Sequence, residues 1–165
     1  MNAISQPSAI APVINYNSLM RYFLDTEFNG FGGALISLAL VPEETGCPAF
    51  YAATTCDDPT DWVRAHVLPF LEIDPVAPDE LGRRMAAYLR NDEDPLLVAD
   101  WPEDIALAAR ALIAAPGHRF PIAHIRFELC DIFGFDSQAA SAVPHNAYHD
   151  AVALKTHILQ REQKR

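Results

Sequence analysis

Beyond residue 20 the apolar residues fall first into short runs suited to strands, and then into the wider spacing of helices. Arg21–Phe28 (RYFLDTEF) reads as a strand, and Ala34–Val41 (ALISLALV) as a second, largely buried one. Gly30, Gly32 and Gly33 punctuate the connection between them. A third strand is predicted near Ala49–Thr55, and three strands this close in sequence suggest an antiparallel meander. Trp62, Val63, His66, Val67 and Phe70 then follow a helical period ending near Leu71. Pro78–Arg90 opens on proline and acids and closes on basic residues, the polarity a helix dipole prefers. Pro95–Asp100 is a short buried strand running into a helix from about Pro102 to Ala115, where Ala-Pro-Gly stops it. Phe120–Phe127 reads as a fifth strand, with a short helix as the alternative, and a last helix covers about Asn146 to Gln160. The pattern implies an α/β fold: a mixed five- to six-stranded sheet flanked by helices. Residues 1–19, poor in charge and without period, read as an N-terminal extension, and residues 20–165 as a single domain.

Composition narrows the setting. A chain of 165 residues, half of them apolar, is long enough for one hydrophobic core. No apolar run approaches the roughly 20 residues needed to span a bilayer, so no membrane partner is expected. The first twenty residues hold no Lys or Arg, which a secretory signal would need at its start. Cys47, Cys56 and Cys130 form no C-x-x-C pair, so the expected compartment is a reduced cytoplasm. The net charge of −10 argues against a protein that coats long nucleic acid with a broad basic surface. A nucleic-acid partner would be gripped over a short stretch, with cations neutralising phosphate.

Three acidic clusters are candidates for chemistry. Asp25 and Glu27 lie two apart in the first strand, so both carboxylates project from one face; the bland alternative is a solvated strand end. Asp100-Trp-Pro-Glu103-Asp104 marks a strand-to-helix crossing, where active sites of α/β proteins gather. Here a capping box accounts for Asp100 and Glu103, with Pro102 in the first turn, and leaves Asp104 over, free to face the sheet. In Pro144-His-Asn-Ala-Tyr-His-Asp150, His145 precedes a helix and Asp150 falls in its second turn. Capping by His145 or Asn146, and solvation of Asp150, would explain that cluster without function.

Taken together, Asp25-Thr-Glu27, Asp104 and His145-Asn-Ala147-Tyr-His-Asp150 resemble the ordered D-x-E, Asp, H-x-A-x-x-D pattern of the DEDDh exonucleases. Within that superfamily of RNase H-like fold, FLDTEF and the compact length resemble a small bacterial branch of 3′→5′ exoribonucleases. One position departs: members often carry Asn four residues before the middle Asp, where this chain has Asp100. The resemblance implies Asp25, Glu27, Asp104 and Asp150 as metal ligands, His145 as general base, and nucleoside 5′-monophosphates as products from the 3′ end of single-stranded RNA or a short oligonucleotide. Related small exonucleases are often dimers, so a homodimer is among the expectations.

The implied chemistry is physically coherent. Unit charges about 5 Å apart repel by roughly 3 kcal/mol at an effective dielectric near 20, so four clustered carboxylates call for cations or raised pKa values. Oxygen-only ligands point to two Mg²⁺ or Mn²⁺ ions rather than zinc. Phe28, Phe31 and Trp101 flank the site and are candidates to stack the terminal base; core packing is the plainer role for Phe28. Rival readings are an exonuclease on single-stranded DNA, a zinc hydrolase using His145 and His149, and a non-catalytic nucleotide-binding module. His66, His118, His124 and His157 read as surface or packing residues, and Asn91–Asp94 as a solvated turn.

Overall fold

In a computed structural model, residues 20–122, 124–130 and 133–164 are described; the segment 1–19 lies outside them. Five strands form one mixed sheet: β1 (Arg21–Phe28), β2 (Leu35–Pro42), β3 (Phe50–Ala53), β4 (Leu96–Ala99) and β7 (Arg126–Leu129), in the order β3-β2-β1-β4-β7. β1, β2 and β3 pair antiparallel as a meander, whereas β4 runs parallel to β1 and β7 parallel to β4. Between them come α1 (Asp61–His66), α2 (Pro78–Leu89) and α3 (Pro102–Ala111), and a two-stranded hairpin of β5 (Ile113–Ala115) and β6 (His118–Arg119). The short α4 (Ser137–Ala140) and the long α5 (Ala147–Gln163) complete the chain. The architecture is α/β with helices on both faces of the sheet, consistent with an RNase H-like fold. No helix among the described residues is long and apolar enough to cross a membrane.

Alternation along β1 decides which helix covers which face. Tyr22 and Leu24 point toward α2 and α3, meeting Leu81, Met85, Leu89 and Ala108 in the larger core. Phe23 points to the opposite face and packs with Ala147, Ala151 and Leu154 of α5. Ala147 is fully buried there, its lack of bulk letting α5 settle close to the sheet. β1 sits between β2 and β4, paired with β4 over Arg21–Phe23 and with β2 from Tyr22 to Phe28, so its carboxyl end lies beside the end of β4.

The differences from the sequence pattern have local causes. The helix expected through Leu71 stops at His66 and continues as a 3-10 turn, Leu68–Phe70. Pro69 has no N–H to carry the α-helical ladder onward. The helix expected to reach Ala115 ends at Ala111, and Pro116-Gly117 forms a hairpin turn rather than a helix stop, Gly117 taking φ +77°. The strand expected over Phe120–Phe127 lies at Arg126–Leu129 instead. Phe120 and Ile122 are buried in the larger core and not paired in the sheet. Asn91–Asp94 is not simply solvated: Asp92 is buried and accepts the Tyr22 hydroxyl at 3.0 Å, and Asp94 pairs with Arg126 at 2.8 Å.

Gly82 marks the closest approach between α2 and the end of α3. A Cβ at this position would collide with the Ala111 carbonyl oxygen and the Phe120 ring. Gly82→Ala is therefore expected to lower stability by about 1–3 kcal/mol through overpacking, despite the better helix propensity of alanine. Urea denaturation checks it, and an unchanged or raised midpoint would contradict the close packing.

Candidate active site

The carboxyl ends of the parallel strands β1 and β4 open into a cleft of about 610 Å³. This is the usual position of functional sites in α/β sheets. Asp25 and Glu27 enter it from β1, Asp100 from the end of β4, Asp104 from the first turn of α3, and Asp150 from the first turn of α5. Two groups of carboxylates come together: Asp25 with Asp100 and Asp104, and Asp25 with Glu27 and Asp150. Within each group the oxygens lie within 4.8 Å of one another. Asp25 is common to both.

Two of these carboxylates, Asp104 and Asp150, are held by backbone or by a small hydroxyl. Asp104 Oδ1 accepts the Thr26 hydroxyl at 2.5 Å and the Thr26 N–H at 3.2 Å, which fixes the start of α3 to β1. Asp150 Oδ2 accepts the His145 N–H at 3.1 Å. Asn146 caps α5 through Oδ1 to the Tyr148 and His149 N–H groups, and donates from Nδ2 to the Phe70 carbonyl at 2.6 Å. His145 itself adopts φ +66°, a left-handed conformation that costs a non-glycine residue about 1–3 kcal/mol and persists where its surroundings over-determine it. Asp25 Oδ2 and Asp150 Oδ1 are buried without a hydrogen-bond partner. Ser141 is near enough to lower the pKa of Asp150, yet its hydroxyl makes no bond of normal geometry.

Burial and mutual repulsion set the electrostatics. Loss of solvent pushes Asp25 well above the carboxylate range, reinforced by the charges of Asp104, Glu27 and Asp150. Burial raises Glu27 to about 8, with Asp150 and Asp104 adding to it. Asp104 rises to about 7 through burial, opposed by the Thr26 hydrogen bonds. Burial also raises Asp100 and Asp150. Among the described residues, no Lys or Arg lines the cleft. An all-oxygen donor set with two orphaned carboxylate oxygens fits a hard divalent cation such as Mg²⁺ or Mn²⁺. Among the described residues, the groups of three that converge are both entirely carboxylate, and no histidine joins either.

The remaining sequence candidates are distributed around this cluster. His145 lines the cleft, whereas His149 is turned away to Glu72 Oε2 at 3.0 Å. Phe28, Phe31 and Trp101 form a row on one rim, with centroids 6.2 Å and 6.3 Å apart. Phe31 is 85% exposed and Trp101 46%. The capping box expected from Asp100 and Glu103 does not form. The N-cap is Trp101, without a side-chain cap, and Glu103 Oε1 instead accepts the Gly32 N–H at 2.6 Å. Sequence spacing also missed Trp62, which it placed in a helical period without a role. Val63 takes the core, and Trp62, half exposed, lines the cleft. Ser137 and Gln138 of α4 form a further wall, for which Asp136, the cap of that helix, was the available signal. Nothing in the sequence marked Thr26 as the anchor of Asp104.

No protein-family model matches the chain. Over 95 residues it is 39% identical to two curated proteins of Mycobacterium tuberculosis, from strains CDC 1551 and H37Rv, each named a 3′-5′ exoribonuclease. The alignment takes in 54% of this chain and 53% of each relative, so the chain spans about half the length of the curated relatives it matches.

The raised pKa values carry a definite sign for stability. Glu27 and Asp104 titrate near 8 and 7 when folded, against ordinary values of 4.5 and 3.8. Between about pH 4 and pH 8 the folded chain thus holds protons that the unfolded chain has released, and stability falls as pH rises through that window. Thermal melts in chelator are expected to show a midpoint that drops from about pH 5 to about pH 8. Asp25→Asn removes a carboxyl that burial and its acidic neighbours push up, and should flatten the curve and raise the midpoint near neutrality. A midpoint that climbs with pH would contradict this electrostatic account.

Proposed function

We propose that this protein is a metal-dependent 3′→5′ exonuclease that removes nucleoside 5′-monophosphates from short single-stranded RNA. The observation that carries the reading is Asp25 shared between two carboxylate groups at the end of β1, with His145 on the cleft wall. The names of the two M. tuberculosis relatives support the direction and the sugar. Asp25, Glu27, Asp104 and Asp150 would hold the divalent cations, with Asp100 beside the first and third. Bound cations would supply Lewis acidity at the scissile phosphate.

The protein's own groups do the rest. His145 accepts the proton of the attacking water, the role that a positioned histidine fills most often in general-base catalysis. Phe31 and Trp101 offer exposed ring faces to the terminal base, each stack worth about 1–3 kcal/mol. With no Lys or Arg among the described residues that line the cleft, little of the substrate's backbone charge is met there by protein. The grip is therefore local to the 3′ end.

Labelled RNA and DNA oligomers, incubated with and without Mg²⁺ or Mn²⁺, test this directly. A 5′ label is expected to yield a ladder shortening from the 3′ end, and a 3′ label to appear at once as mononucleotide, only when metal is present. Turnover in chelator, or endonucleolytic products, would overturn the reading; equal rates on matched RNA and DNA would overturn the sugar preference alone. His145→Ala should lower kcat by about 10²–10⁴-fold, and His149→Ala far less, since it faces Glu72. The logarithm of affinity should fall with the logarithm of salt at a slope no steeper than about −1.5, equivalent to roughly two phosphate contacts on a single strand. A much steeper slope would reveal a basic track outside the cleft.

A further inference from the structure

A general base is ordinarily aimed by a third group that hydrogen-bonds its ring. Among the described residues the His145 imidazole makes no such bond. The hydrogen bonds at this turn are made by the His145 backbone N–H, to Asp150 Oδ2, and by the Asn146 side chain, to the Phe70 carbonyl. These pin the main chain and leave the side-chain torsions of His145 free. What the ring does meet is Trp62: the centroids are 4.9 Å apart and the planes 81° to one another. That is the edge-to-face arrangement favoured by the charge distribution of aromatic rings.

Trp62 is in turn held in place. Its indole stacks with His66 at 5.0 Å and 19°, and His66 Nδ1 lies 2.9 Å from the Trp62 carbonyl oxygen. The helix carrying both rings is anchored by the fully buried Val63 and by its start, where the Thr60 N–H donates to Asn29 Oδ1 at 2.8 Å. Burial does not explain Trp62, since half its surface is exposed on the wall of the cleft.

We propose that Trp62, backed by His66, is the positioning residue that holds the His145 imidazole over the carboxylate cluster. It stands where a hydrogen-bonding orienter would otherwise be. The assignment rests on the reading of His145 as the base. An aromatic pair of this kind biases a ring orientation by about 2- to 10-fold, which is the scale of the expected effect.

Trp62→Ala and Trp62→Leu, assayed with Mn²⁺ on an RNA oligomer, should lower kcat by about 2- to 10-fold with KM nearly unchanged. Trp62→Phe, which keeps a ring face, should restore most of the rate. Trp62→Ala added to His145→Ala should cost nothing more, because the two residues act as one unit. A readout independent of turnover is the NMR resonances of the His145 ring protons, identified by their disappearance in His145→Ala. The indole ring current should displace them in the native protein. The displacement should vanish in the Ala and Leu variants and largely survive in Phe. A raised KM with kcat retained in Trp62→Ala would assign Trp62 to substrate stacking instead and overturn the proposal. Unmoved resonances would do the same. Full activity of His145→Ala would overturn the underlying reading, and the resonances would still report separately whether Trp62 holds the ring.

Discussion

Like charge, buried with no Lys or Arg among the described residues that line the cleft, is the constraint around which this protein is arranged. Two carboxylates about 5 Å apart repel by roughly 3 kcal/mol at an effective dielectric near 20, and here Asp25 has four acidic neighbours. Such a cluster does not assemble itself. It must be imposed by structure that is stable for other reasons, and the position of β1 provides this. β1 is paired with β4 through Phe23 and with β2 along to Phe28, and both its faces are covered by apolar contacts, so its carboxyl end is held by the β2 edge and the core. The side chains from the flanking helices are then fastened onto it, Asp104 by the backbone and hydroxyl of Thr26 and Asp150 by the N–H of His145. Backbone donors suit this task because they stabilise a carboxylate without bringing a competing positive charge into the cleft.

The same constraint links stability to function on the proposed reading. Protons and divalent cations compete for one set of oxygens, so the condition that relaxes the cation-free protein, low pH, is the one that disfavours binding of the ions. Raised pKa values from burial and neighbouring charges are common at functional sites. In this cleft, three strongly perturbed carboxylates lie on two adjoining elements, β1 and the start of α3. The convergence of a strand end and two helix starts, rather than any one residue, produces the perturbation.

Much of this was legible in the sequence where a single period governed a segment. The strand at Arg21–Phe28 matches its predicted bounds, and Pro78–Leu89 differs by one residue: the first is a short run buried on both faces, the second a helix whose spacing reflects burial on one side. Period two also placed Asp25 and Glu27 on a common face, and both line the cleft. The pattern failed where burial is weak or tertiary. All three residues of Ile113–Ala115 are exposed, so the strand has no inward face to betray it. Trp62 and Val63 are neighbours in an apolar stretch, and spacing alone does not say which one turns inward. Asp100 and Glu103 had the spacing of a capping box, but the partner of Glu103 is a glycine N–H 71 residues earlier in the chain. A local reading has no access to that contact.

The start of α3 shows how closely the parts of the cleft depend on one another. Trp101 precedes the helix and joins the aromatic row, Pro102 opens its first turn, Glu103 reaches the loop after β1, and Asp104 reaches Thr26. Phe31 sits in that loop between Gly30 and Gly32, both at φ +74°, and stands almost fully exposed with little packing of its own. The Glu103 to Gly32 bond is thus the contact that ties the Phe31 loop to the helix carrying Asp104. On the proposed reading, the ring faces that receive the base and one of the carboxylates that hold the cations are set by four consecutive residues. Their spacing is then fixed by one helical turn rather than by the hinge of a mobile loop. Loss of Glu103 would loosen Phe31 against Trp101 without disturbing Asp104, whose anchor is Thr26. Base stacking and cation binding therefore share a scaffold while depending on different bonds.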